Sequence, residues 1–353
     1  MKSFEAGFLE RQPVSQNLLR TVALLGEYKG RQDLYRVQSP QILQTLQDAA
    51  VIQSTEASNR IEGVVAPSDR IRELVARRTE PRNRSEQEIA GYRDVLATIH
   101  VHHEAMEVTP NVVLQLHRDL FQFVPAGGGR WKSANNAITE TAPDGTTRVR
   151  FTPVDAHLTA DAMRRLHEGF ASASAEGRLE PLVLVAAYVL DFLCIHPFLD
   201  GNGRMARLLS LLLLYKAGYD VGRYISLEAI VEQTKDSYYD TLHESSQGWH
   251  QGDHDLAPWE EYFLGVMLLG ASREFEQRVG VTAEKRGVKR ELISDAVRRL
   301  PRTFRYADVE RLLPAVSRPT INRALREMRL QGTIRVVKAG RDATWEKTDA
   351  PAS

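Results

Sequence analysis

The chain has 353 residues, 46 Lys+Arg against 46 Asp+Glu, and therefore no formal net charge. An apolar share of 42% and a charged share of 26% are those of globular protein and leave room for two or three domains. They exclude fibrous and low-complexity chains, and the one cysteine, Cys194, excludes a disulfide framework and points to a reducing, cytoplasmic setting.

The opening MKSFEAGFLERQ is charged and lacks the apolar centre of a secretory leader. Residues 1–35 read as a loose arm with one helix near Val14–Tyr28. A helical pattern without Gly or Pro runs from Gln41 to Glu62 and stops at Gly63, a C-terminal cap. After the polar linker Arg77–Arg84 comes a helix over Ser85–Glu107, and Thr109-Pro110-Asn111 opens the next. His100, His102, His103 and Glu104 do not share one helical face, so a solvated surface is expected there rather than a metal site.

Between Ala126 and Pro153 glycines give way to short runs of β-branched residues. Asp144-Gly145 falls between the runs, so a hairpin is expected. Helices resume at Ala156–Ala171, Pro181–Ile195, Arg204–Ala217, Ser226–Ser246 and Ala257–Glu284, with Gly252–Asp255 a loop before the last. The runs Leu182–Ile195 and Met205–Tyr215 are shorter than the ~18 apolar residues of a membrane span and read as buried core helices.

The end of the chain differs in charge. Residues 285–347 hold 17 Lys+Arg against 7 Asp+Glu, a local excess of +10 balanced by about −10 elsewhere. Helices at Arg290–Leu300, Tyr306–Leu313 and Arg318–Gln331 precede strands at Thr333–Lys338 and Ala343–Lys347 around a Gly340-Arg341-Asp342 turn. Three short helices and a hairpin describe a winged helix-turn-helix. Ser317, Thr320, Asn322 and Arg323 on its third helix are of types that contact bases or phosphates. DNA and protein docking both remain open for it.

The segment with chemistry is HPFLDGNGRMAR, residues 196–207. A buried helix ends at Ile195, and Gly201-Asn202-Gly203 can turn successive N–H groups towards one point at the start of the next helix. Such a nest, with the helix dipole behind it, is an anion site. Arg204 and Arg207 lie three apart and project from one face, each with a donor fork suited to phosphate. Asp200 is a carboxylate fit for Mg²⁺ beside phosphates. His196 is a base for neutral pH. Any one of these residues alone is consistent with a tight corner between helices; together they fit phosphoryl or nucleotidyl transfer.

This segment resembles the Fic motif, H-x-F-x-x-G-N-G-R-x-x-R, at every defined position. The resemblance implies a mainly α Fic core that moves AMP from ATP to a Ser, Thr or Tyr hydroxyl of a target protein. His196 would be the base and Asp200 would hold Mg²⁺. Gly201, Asn202 and Gly203 would cradle the phosphates, Arg204 would bind the β- and γ-oxygens, Arg207 would grip the γ-phosphate, and Phe198 would anchor the loop. The related phosphate-transferring Doc toxins depart from G-N-G-R, which this chain keeps. The hairpin, around Arg148–Pro153, resembles the Fic flap that holds a target segment by strand addition.

Ser58-Asn59-Arg60-Ile61-Glu62-Gly63 resembles the family's inhibitory motif, S/T-x-x-x-E-G/N. The resemblance implies that Glu62, supported by Ser58, takes Arg207 away from the γ-phosphate. If Glu62 orients a water instead, removal of AMP is open to the same site. Tyr238 and Tyr239 are candidates for an adenine contact, with core packing the alternative. The expected division is 1–108 as the N-terminal helical region with the brake, 109–284 as the Fic core, and 285–353 as the winged helix. A homodimer is expected from the frequency of closed symmetric assemblies. A DNA-binding regulator with a nucleotide-sensing Fic body is the alternative reading of the whole.

Overall fold

In the computed structural model, residues 2–38, 40–141, 146–284, 293–294, 296–298, 300–313, 316–338 and 343–348 are described. The Asp144-Gly145 and Gly340-Arg341-Asp342 turns lie outside these residues, as does part of the expected helix Arg290–Leu300. The chain divides into two compact units, one of Met1–Lys29 with Leu46–Ser272 and one of Gly30–Thr45 with Arg273–Ser353.

In chain order the elements are helices α1 (Phe8–Arg11), α2 (Gln16–Gln38), α3 (Pro40–Ile61), α4 (Ser68–Val75), α5 (Arg84–His102) and α6 (Pro110–Leu120), then the hairpin β1 (Ile138–Thr141) and β2 (Thr147–Phe151), with the end of α2 and the start of α3 belonging to the second unit. Helices α7 (Thr159–Glu176), α8 (Pro181–Ile195), α9 (Asn202–Lys216), α10 (Leu227–Gln233), α11 (Lys235–Ser246), α12 (Ala257–Glu260) and α13 (Leu269–Glu284) follow. Two of these helices open as their sequences dictate. Asn83 caps α5 through the Glu86 N–H and Thr109 caps α6 through the Val112 N–H, with Pro110 at the first turn.

The apolar helices α8 and α9 pack against each other at the centre and are buried on nearly every face. A helix that is apolar all round belongs in a core. This pair matters most for function, because the loop between them is residues 196–201.

The N-terminal segment is tied down rather than loose. Asp191, wholly buried in α8, accepts hydrogen bonds from the Ser3 hydroxyl (2.7 Å), the Ser3 N–H (3.2 Å) and Trp249 Nε1 (2.5 Å). The Ser3 hydroxyl also meets His254 Nε2 at 3.0 Å, and His254 stacks on Phe8. A buried carboxylate needs such partners, and these were too distant in sequence to be foreseen.

Three other expectations change. The segment Ser226–Ser246 is two helices broken at Thr234, whose hydroxyl bonds the Ile230 carbonyl and the Tyr262 hydroxyl. Glu261–Leu268 is a π-helical stretch between α12 and α13. His100 and His103 are buried, not solvated: His100 in the last turn of α5 and His103 just after it pack against Tyr215 and Arg223. Among the described residues no group of His, Cys, Asp and Glu is arranged to hold a metal ion.

In the second unit, α14 (Tyr306–Leu312) and α15 (Arg318–Leu330) pack with strands β3 (Thr303–Arg305), β4 (Ile334–Lys338) and β5 (Thr344–Lys347). The sheet is antiparallel in the order β3-β5-β4, and β3 is an addition to the strands expected. Phe304, Ile321, Leu325 and Ile334 form its core with Ile293 and Val297. No helix among the described residues is long and apolar enough to cross a membrane.

Burial holds His100, His117, His196 and His254 well below their ordinary value, each at about 4. Their stabilising effect is complete above the unfolded value near 6.5 and is lost as pH falls through 4. Burial pushes two carboxyls the other way, Asp191 to about 6 and Glu260 to about 7, and these offset part of the loss. Unfolding at pH 5 therefore takes up protons on balance, and the thermal midpoint is expected to be lower at pH 5 than at pH 7. Differential scanning fluorimetry across that range checks it; an unchanged or higher midpoint at pH 5 contradicts it.

Candidate active site

The loop between α8 and α9 is held from several sides. His196 ends α8 in a left-handed conformation (φ 51°, ψ 61°), which few non-glycine residues adopt. Its Nδ1 lies 3.3 Å from the Leu193 carbonyl, so the ring donates there and leaves Nε2 without a proton. Burial, with the charge of Lys132 adding to it, lowers the imidazole to about 4 against the opposing pull of Glu62. At neutral pH this histidine is an uncharged base.

Asn202 closes the loop with its side chain. Its Oδ1 accepts from the Phe198 N–H at 2.9 Å and its Nδ2 donates to the Phe198 carbonyl at 2.8 Å. Phe198 is fully buried and stacks on His117 with ring centroids 3.6 Å apart. His117 Nδ1 accepts from the Gly129 N–H at 2.8 Å, so its Nε2 donates to the Asp200 carbonyl at 3.1 Å. Gly201 turns the chain into α9 at φ 80°, where a side chain would be strained and would meet Phe121. The N–H groups of the first turn of α9 follow at once.

The two arginines of α9 have separate partners. Arg204 donates to Glu88 on α5 at 2.6 Å and reaches Asp200 at 3.5 Å. Glu88 also accepts from Arg84. Arg207 donates through Nε to the Ser58 hydroxyl (2.8 Å), and through Nη2 to the Ser58 carbonyl (2.9 Å) and Glu62 Oε1 (2.8 Å). Arg204 Nε and Arg207 Nη1 are buried and, among the described residues, have no hydrogen-bond partner. Buried guanidinium donors left open in this way suit an anion that completes them.

The C-terminus of α3 is built to present Glu62. Gly63 adopts φ 77°, the Val64 N–H bonds the Asn59 carbonyl, and the Gly63 N–H bonds the Arg60 carbonyl. This double closure is a Schellman turn, with Glu62 the last residue before its glycine. Lys235 on α11 caps the same end through the Ile61 carbonyl at 3.1 Å. Burial alone would raise the Glu62 carboxyl, but Arg207, with Arg204 and Lys235, holds it below its ordinary value. Gly203 lets the carboxylate lie this close, because a Cβ there would lie 2.2 Å from Glu62 Oε1 and push the side chain aside.

These elements wall a cavity of about 890 Å³. His196, Asp200, Gly201, Asn202, Gly203, Arg207, Glu62, Tyr238 and Tyr239 reach it; Ser58 and Arg204 are buried and do not. Tyr238 is packed against Trp259 and Tyr262 and shows the cavity only an edge. The hairpin supplies Ile138, Thr139, Glu140, Arg150 and Phe151 to the same cavity. Its base is fixed where Phe151 stacks on His250 and His250 Nε2 donates to the Thr152 carbonyl at 2.8 Å. His117, Lys132 and Glu88 hold the loop and were not singled out from sequence. Their only signal is polar character on otherwise buried faces.

Comparison with known proteins accords with this layout. A model of the Fic/DOC family matches residues 107–214, which run from α6 through the loop to α9. Residues 107–214 are a Fic domain. Curated relatives include the protein adenylyltransferase Fic of Drosophila grimshawi, 26% identical over 211 residues, which are 57% of this chain and 39% of that protein. The protein of the same name from Culex quinquefasciatus is 30% identical over 185 residues, 50% of this chain and 32% of that protein. The chain thus spans about a third of these relatives.

Among solved structures, a Fic family protein from Desulfovibrio desulfuricans G20 matches with a TM-score of 0.63 and 21% identity, covering 97% of this chain and 98% of that one. A Fic domain containing signaling protein from Bacteroides thetaiotaomicron VPI-5482 matches with a TM-score of 0.59 and 20% identity, over 75% of this chain and 98% of that one. These two likenesses speak to the fold: a Fic helical core with a small two-stranded sheet.

Removal of the Ser58 hydroxyl leaves a buried Arg207 donor unmet. Ser58→Ala is expected to cost about 1–3 kcal/mol, read as a lowered midpoint in urea with an unchanged slope. No change in midpoint contradicts the contact.

Proposed function

We propose that this Fic domain transfers AMP from ATP to a hydroxyl of a target protein and that Glu62 restrains it. The observation that carries the reading is one cavity in which an uncharged His196 faces the open N-terminus of α9 while Arg207 is taken by Glu62. Nε2 of His196 would take the proton of an acceptor Ser, Thr or Tyr hydroxyl. The freed oxygen would then attack the α-phosphorus, an O–P bond forming as the bond to the β-phosphate breaks and pyrophosphate leaves. The N–H groups of Gly201–Gly203 and the open donor of Arg207 would carry the phosphate charge.

The Asp200 side chain is 57% exposed on the cavity wall, with Arg204 and Arg84 at 3.5 and 3.6 Å. It fits the single carboxylate of a phosphate-bound Mg²⁺, which would supply charge neutralisation on the nucleotide. Tyr239, and the exposed edge of Tyr238, are the ring surfaces we assign to the adenine.

Removal of AMP is a second reading with its own support. Glu62 Oε2 makes no hydrogen bond among the described residues, and the side chain is 30% exposed to the cavity. It is placed to orient a water. We assign 1–108 to the helical region bearing the brake, 109–284 to the catalytic core and 285–353 to a winged helix. For the last, α15 leaves Asn322, Arg323 and Arg326 exposed in a segment of +10 charge, which favours duplex DNA as its ligand.

With α-labelled ATP, Glu62→Gly is expected to raise protein labelling well above the parent, and His196→Ala in that background to abolish it. Equal labelling by all three sinks the transfer reading. If the protein also removes AMP, Glu62→Gly loses that activity while gaining the other. For the winged helix, the full chain is expected to bind duplex DNA with an affinity that falls with salt. The Arg323→Ala, Arg326→Ala double variant should reduce the log–log slope by about two. Absence of any anisotropy change at low salt counts against DNA.

A further inference from the structure

The stretch just before the hairpin holds the left-handed histidine from both sides. Lys132 is 3% exposed, which is rare for a lysine. Its Nζ donates to the Ile195 carbonyl at 3.0 Å and to Asn136 Oδ1 at 2.8 Å, and its backbone N–H donates to the Pro197 carbonyl at 2.8 Å. Asn136, fixed by that contact, donates Nδ2 to the Phe198 carbonyl at 3.1 Å. The carbonyls of residues 195, 197 and 198 are thus all bound from residues 132–136, and residue 196 lies between the first two.

A non-glycine residue at φ 51° costs free energy and persists only where its surroundings over-determine it. The two Lys132 contacts supply that over-determination. Two residues after Asn136 the chain enters β1, so the same short segment that fixes His196 leads into a strand that lines the same cavity.

We propose that Lys132 is a positioning residue for His196: its side chain and backbone clamp the flanking carbonyls and hold the imidazole in the orientation from which Nε2 meets the acceptor hydroxyl. It does not touch the reacting atoms. The same amine sets the electrostatics of the base. Lys132 and Glu62 are the charged groups acting on His196, from the segment before the hairpin and from the end of α3, and Lys132 favours the neutral ring. Burial brings the Lys132 amine down to about 8, so it is charged at neutral pH.

This inference rests on His196 being the base of the transfer reading, and the test separates the two. In the Glu62→Gly background, three variants are compared: Lys132→Met removes charge and side-chain donor, Lys132→Gln removes charge but keeps a donor, and Lys132→Arg keeps charge. All three retain the backbone bond to Pro197. Lys132→Met is expected to lower kcat about 10²-fold, the scale of a misplaced reacting group, with KM for ATP unchanged. Lys132→Gln should lie between, and Lys132→Arg should recover most of the rate.

Independently of catalysis, imidazole NMR is expected to show His196 titrating at higher pH in Lys132→Met and Lys132→Gln than in the parent and in Lys132→Arg. An unchanged kcat and an unchanged His196 titration in both neutral variants overturn the proposal, as does a raised KM with kcat preserved. A Glu62→Gly parent that labels nothing, while the His196 titration still moves with the Lys132 charge, breaks the transfer reading and leaves the clamp standing.

Discussion

A guanidinium that is almost wholly out of water must be paired, and Arg207, 6% exposed, answers that requirement with residues on another helix. Its bonds to Ser58 and Glu62 join α9 to the end of α3 across 145 or more residues of sequence. Everything about the cavity follows from who satisfies this one cation. With Glu62 as partner, the glycine turn is covered by a carboxylate, since Gly203 has no side chain to keep it away. A polyphosphate carries the same charge as the carboxylate that now meets these donors, which is why the proposed restraint is placed at this contact.

The strength of that restraint can be bounded. Glu62 is 30% exposed and makes one charged hydrogen bond, worth about 1.5–3 kcal/mol net. A coupling of this size changes an equilibrium by roughly 10- to 150-fold. The Schellman turn and the Lys235 cap at the end of α3 are made by other atoms than the Arg207 contact, so a contact of this size is separate from what holds the helix end.

Sequence showed most of what lies within one helix or loop. Pro181–Ile195 is legible because it is apolar throughout between a proline and a histidine, and the glycine turn is legible because it needs φ that other residues resist. The break at Thr234 and the π-helical stretch Glu261–Leu268 are not, since both arise from packing that local propensity does not encode. The buried His100 and His103 mislead for the same reason: four polar residues together look solvated until Tyr215 and Arg223 are placed against two of them. Asp191 interrupts an apolar run in sequence, and only the fold brings Ser3 and Trp249 to it.

Within the site, the split is between atoms that meet a ligand and atoms that hold those atoms still. His196, Asp200, Gly201, Gly203 and Arg207 share one short motif, so a sequence carries them together. Their supports come from elsewhere: His117 from α6, Lys132 and Asn136 from the approach to the hairpin, Glu88 from α5. Each support binds a backbone carbonyl or a charge of the loop, and many residue types at many positions could do so; no spacing marks them. Yet the loop has little structure of its own. Its histidine is left-handed, its glycine is left-handed, and the Asn202 side chain bonds Phe198 rather than facing outward. A loop with so few internal bonds takes its shape from its surroundings, and here those surroundings include the segment 132–136, which binds three of its carbonyls just before β1 begins.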